Sequence, residues 1–182
     1  MQHSFTSEYL TDVRDRMGKM KDLAEAALDQ VSDAELFTTL DAESNSIALL
    51  LKHLAGNMQT RWDGFPQEGE SESSKRNRDA EFEIDDGDTK PALLERWEAG
   101  WGRTFEVLER LTEDDMNKSV VLRGESMSVT SAINRQFTHY AYHVGQIVFL
   151  AKHLSSDQWQ SLSIPRGESD RFTAAMRKKH EA

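Results

Sequence analysis

VTSAINRQFTHYAYHVGQIVFLAKHL, residues 129–154, is the stretch whose period decides the fold. Successive residues of a helix turn by about 100°, which brings Val129, Ala132, Ile147, Leu150 and Leu154 within about 40° of His143. His139 stands one turn earlier on the same face. The stretch predicts a long helix from about Val129 to Leu154, capped by Ser128, with two imidazoles in the middle of its most apolar side. A stripe this wide has to be covered by other helices.

Three further stretches supply that cover. Leu10, Val13, Met17, Met20, Ala24, Ala27 and Val31 recur in steps of three and four and predict a helix from about Ser7 to Val31. The next begins within Ser44-Asn45-Ser46, any of which can cap, and runs through IALLLKHLAGNMQTRW to about Trp62. Gly56 is its weak point, worth about 1 kcal/mol against Ala. Another starts near Lys90-Pro91, since proline is tolerated in a first turn, with Leu94, Trp97, Trp101, Phe105 and Leu108 as its stripe. Trp62, Trp97 and Trp101 read as core or interface residues before they read as substrate platforms. The expectation is an all-α four-helix bundle formed by one domain over residues 1–182.

The connections carry their own signals. Residues 63–90, DGFPQEGESESSKRNRDAEFEIDDGDTK, form a long polar loop whose apolar anchors are Phe65, Phe82 and Ile84. A connection of that length is either a functional lid or a solvated linker. Its basic cluster Lys75-Arg76-Arg78 reads as a latch onto the bundle. SVVLRGESMSV, residues 119–129, predicts a small β-hairpin turning at Arg123-Gly124-Glu125. Residues 155–182 read as a segment that packs back through Trp159, Leu162, Ile164 and Pro165, followed by a frayed tail. LDQVSDAEL at 28–36 and LERLTEDDM at 108–116 repeat one pattern, a helix end followed by a short capped turn.

Composition removes whole classes of function. The chain of 182 residues has no cysteine, which excludes a disulfide scaffold, thiolate catalysis by the protein and cysteine-ligated zinc or iron–sulfur clusters. A net charge of −10 opposes binding to nucleic acid or anionic membranes. No apolar run is long enough for a membrane span, and MQHSFTSEYL has no secretory pattern, so a cytoplasmic location is expected.

The histidines carry the chemistry. A buried imidazole needs a partner for each nitrogen, and a metal satisfies two rings at i and i+4 together. His53 faces inward from the second long helix and completes a three-histidine set with His139 and His143. Three neutral ligands suit a divalent transition metal (zinc, nickel, manganese or iron) and leave positions open for substrate. A purely structural set of core histidines is the alternative. His3, His153 and His180 lie at mobile ends or off the stripe. Asn57, Gln136 and Gln146 are placed to orient the rings. Arg61 and Arg135 are placed to bind an anionic substrate group or to pair with acidic residues, and Tyr140 to donate a proton. No carboxylate adjoins the pair in sequence, which disfavours a hydrolase.

SNSIALLLKHLAGNMQTRW, KRNRDAEFE, INRQFTHYAYHVGQIV and WQSLSIPRG together resemble the DinB/YfiT-like superfamily, in particular a bacterial branch without an assigned reaction. The resemblance spans nearly the whole chain. It implies a four-helix bundle with a partly parallel connection, which residues 63–90 would supply as a crossover. It also implies a metal triad of one histidine from the second helix and an H-x₃-H pair from the last, matching His53, His139 and His143. Relatives include transferases and isomerases that use bacillithiol or mycothiol, and others described as metal-dependent hydrolases. The resemblance favours a homodimer. The functional expectation is a metal-dependent transferase using a small-molecule thiol such as bacillithiol. A metal-dependent hydrolase and a non-catalytic, metal-stabilised dimeric bundle are the alternatives.

Overall fold

A computed structural model describes residues 5–67 and 76–180 of the chain. The first long helix, α1 (Phe5–Leu28), buries Leu10, Val13, Met17, Ala24 and Ala27 of the expected stripe, while Met20 is half-buried. It ends three residues before Val31 because the backbone turns there into α2 (Asp33–Leu36). Ser32 and Glu35 close a capping box at that turn, each satisfying a backbone N–H of the other. Ser46, the last of the three candidate caps, accepts the Leu49 N–H and starts α3 (Ile47–Trp62).

The helix α4 (Lys90–Arg110) is capped by Thr89, with Pro91 in its first turn. Its buried stripe is rotated slightly from the expected one. Leu93 is fully buried where Leu94 was expected, and Leu94 and Phe105 are only half-buried. Thr104 also enters the core, which its hydroxyl permits by bonding back to the Gly100 carbonyl at 2.9 Å. After α5 (Glu113–Met116), a second capping box joins Thr112 and Asp115, so both copies of the repeated motif form the same short turn.

Strands β1 (Ser119–Leu122) and β2 (Glu125–Ser128) pair antiparallel, with Leu122 opposite Glu125. The two residues between them, Arg123 and Gly124, both have positive φ, 53° and 79°. That is the twist a two-residue hairpin needs, and it suits glycine but strains arginine. Ser128 then caps α6 (Val129–Ser155) by accepting the Ser131 N–H.

The four long helices pack in a ring, with α3 against α4 and α6, and α1 against α6 and α4. At the α3–α4 contact, Gly100 lies so close to Met58 that a Cβ would meet its Sδ at 3.1 Å. Trp62, Trp97 and Trp101 are fully buried, as core residues.

The polar connection folds back over α3 through a single turn of 3₁₀ helix at Asp79–Phe82. Lys52 of α3 holds it in place, donating to the Glu83 carbonyl at 2.8 Å, Asp85 at 3.0 Å and Asp88 at 2.6 Å. Arg96 of α4 takes the other oxygen of Asp88 at 2.7 Å. Phe65 packs on Trp62 and Phe82 on His53, but Ile84 is exposed and is not an anchor. Residues 68–75, including Lys75 of the expected latch, and His3 lie outside the described residues.

Beyond α6, Trp159 and Leu162 pack back onto the core, and Gln30 binds the Gln160 backbone through both ends of its amide. Ile164 is exposed instead. The expected frayed tail is helical over Ser169–His180 (α7), with no buried side chain among its residues.

Candidate metal centre

His53 comes from the middle of α3, and His139 and His143 from successive turns of α6. One ring nitrogen from each lies within 4.8 Å of the other two. The Nε2 atoms of His53 and His139 face each other at 3.2 Å.

The protons on these rings follow from what lies behind them. His53 Nδ1 meets Glu81 Oε2 at 3.0 Å and donates to it. His143 Nδ1 meets Gln146 Oε1 at 2.7 Å and donates likewise. In its neutral form each of these two rings turns an unprotonated Nε2 toward the convergence. Burial, reinforced by the other two imidazoles, pushes the His139 pKa down to about 3. Burial also lowers that of His143, against the opposing pull of Gln146. His139 and His143 are thereby held toward the neutral form, which binds metal.

Glu81 is the residue that sequence reasoning missed. It is buried between His53 and Arg76, whose guanidinium grips it through two nitrogens. Burial would raise its pKa, but the bonds to His53 and Arg76 outweigh this and hold it low. A carboxylate thus does adjoin the histidines, supplied by the connection rather than by α3 or α6. Its approach requires Gly56, where a Cβ would stand 2.9 Å from Glu81 Cδ. The alternating charges of KRNRDAEFE were the available signal, but no periodicity ties them to α3.

The sequence profile described as "Protein of unknown function (DUF1572)" matches residues 4–168. The chain belongs to the DUF1572 family. The likeness extends to a solved structure described as "YfiT from Bacillus subtilis is a probable metal-dependent hydrolase with an unusual four-helix bundle topology". That match has a TM-score of 0.69 at 16% identity and covers 88% of this chain and 94% of that one. At such identity the match shows the fold, which is the four-helix bundle that the resemblance to the DinB/YfiT-like superfamily implies. No protein of curated function matches the sequence.

The histidines of this DUF1572 chain fit a divalent metal. A tetrahedral ion bound at about 2.0–2.1 Å needs nitrogens about 3.3 Å apart. The His53–His139 pair has that separation, and two Nε2 atoms at this distance are bridged either by a proton carried on one ring or by a cation. The pocket above them encloses about 840 Å³.

Asn57, Gln136, Arg61 and Arg135 all line this pocket. Gln146 stands behind His143. Tyr140 does not line it. Its ring is fully buried, and its hydroxyl accepts the Trp62 indole N–H at 2.9 Å on the core side. Burial pushes its pKa up, away from proton donation. The tyrosine that does face the pocket is Tyr142.

Proposed function

We propose that this protein is a metal-dependent transferase in which His53, His139 and His143 hold zinc, nickel, manganese or iron and a small-molecule thiol such as bacillithiol attacks an electrophile. The observation that carries this reading is three converging imidazoles beside a pocket with no Asp or Glu among its lining residues. The ion supplies Lewis acidity, which lowers the pKa of a nucleophile and polarises an electrophile at its open positions. Glu81 is not free to act as a base, because His53 and Arg76 occupy its oxygens. A thiol needs less help from a base than water does, since its pKa lies nearer neutrality. With no cysteine in the chain, the sulfur comes from a cosubstrate.

Transfer forms a carbon–sulfur bond and breaks the bond from that carbon to its leaving group, which departs with the thiol's proton. Glu81 and Gln146 fix the ring orientations. Arg61 and Arg135 hold carboxylates of the thiol, and Phe82 covers one side of His53. A homodimer in the cytoplasm completes the proposal, and the −10 charge supports the exclusion of nucleic acid and anionic membranes.

A second reading, a metal-dependent hydrolase on the same three histidines, is favoured by the fold likeness to Bacillus subtilis YfiT. Metal analysis with turnover of monochlorobimane and of a simple ester, each with and without bacillithiol, separates the two. Turnover that needs both metal and thiol is expected, and substitution His143→Ala should abolish it. Ester turnover with metal alone would favour the hydrolase. Neither activity, with a metal-raised melting temperature, would overturn both and leave the non-catalytic bundle.

A further inference from the structure

The chain carries a charge of −10, yet its pocket is lined by Arg61, Arg76, Arg78, Arg123 and Arg135 and by no acidic residue. Arg76 is engaged by Glu81. Arg135 lies 3.5 Å from Glu125, but both side chains are more than half exposed, so that pair is weak. The Arg78 guanidinium rests over the Phe82 ring at 5.0 Å. No carboxylate among the described residues pairs with Arg61, Arg78 or Arg123.

Arg61 is the decisive member. Only 9% of it is exposed, and its Nη1 atom is buried without a hydrogen-bond partner. A buried, unpaired guanidinium is costly, and a protein with 32 acidic residues has ample means to neutralise it. Burial lowers its pKa, and the charges of Arg123, Arg76 and Arg135 lower it further. The oxygens Asn57 Oδ1 and Gln136 Oε1, also on the pocket wall, are buried without a donor. At the tip of the hairpin, Arg123 occupies a left-handed conformation that glycine would adopt without strain.

We infer that the pocket recognises a small organic polyanion, a molecule with at least two carboxylate or phosphate groups, which pair with Arg61 at the floor and with Arg123 and Arg135 at the mouth. A hydroxyl or amide N–H on the same molecule satisfies Asn57 and Gln136. The inference rests on this pocket being the substrate site of the proposed function, and it names the class of substrate or thiol cosubstrate. Guanidinium groups bind both oxyanions through paired N–H donors, so carboxylate and phosphate share the chemistry.

The test uses metal-free protein, so that anion recognition is read apart from the metal. Calorimetric titrations with tricarballylate and with pyrophosphate, at fixed ionic strength, form the carboxylate and phosphate arms. Saturable one-to-one binding is expected in at least one arm. Arg61→Gln and Arg123→Gln should each weaken it by about tenfold or more, and Arg166→Gln in the tail should not. Arg61→Gln should also raise the melting temperature without ligand, by removing an unpaired buried charge. Should that variant not fold, Arg123→Gln on the exposed hairpin decides. His53→Ala should retain anion binding while losing metal, so either reading can fail without the other. Absence of saturable binding in both arms, or binding that survives both arginine substitutions, would overturn the inference.

Discussion

At the scale of single residues, Gly56 and Glu81 form one unit. By helix propensity alone Gly56→Ala would stabilise α3 by about 1 kcal/mol. A Cβ at this position meets the Glu81 carboxyl group, which Arg76 and His53 hold from the other side. The substitution is therefore expected to lower stability by about 1–3 kcal/mol through overpacking. Losing the carboxylate behind a metal-binding imidazole typically costs 10–100-fold in affinity, so metal binding should fall with it. Glu81→Gln keeps the volume and should show the affinity loss with less of the stability loss. Thermal melts and zinc titrations of the two variants check this, and wild-type behaviour in both would refute the linkage. The histidines were legible in the sequence because the helical period alone puts His139 and His143 on one face. Glu81 was not, because its place over α3 depends on how residues 63–89 close, and no local period encodes that.

The elements show the complementary case. Both capped turns and the hairpin were readable because their determinants lie within four residues of one another. Thr112→Ala should cost about 1 kcal/mol, the usual worth of an N-cap, measured by denaturant unfolding. Its partner gives a pH signature. Lys118, then the Thr112 backbone and hydroxyl, hold the Asp115 pKa down to about 2. A carboxylate lowered in the folded state contributes fully above its unfolded pKa of about 3.9 and loses that contribution as pH falls toward 2. Asp115→Asn should therefore flatten the stability profile between about pH 4 and pH 2, and an unchanged slope there would remove Asp115 from the account. The rotation of the α4 stripe was not readable, since Leu93 and Leu94 are equally apolar and only packing against α3 selects between them. Arg123 was read only as a turn residue. Its presence on the pocket wall follows from where the hairpin is docked, a tertiary fact.

For the molecule as a whole, the sequence reached the bundle and its three histidines because both rest on amphipathic period. It misassigned Tyr140, since flanking a histidine in sequence did not reveal that the ring turns toward Trp62. It also left the charge of the pocket unread, because the five arginines come from α3, the connection, the hairpin and α6. The triad itself bridges only two of the four long helices, joining His53 to residues 86 and more positions away. An ion there would work as a clasp across α3 and α6, whereas the contact of α3 with α4 rests on packing around Met58 and Gly100 and on Asp88, which Lys52 and Arg96 share. Stripping the metal should therefore not loosen the bundle evenly. Amide exchange should quicken in the middle of α3 and α6 while α4 keeps its protection. The protein would come apart along one seam, as a book opens from its fastened edge while the spine holds.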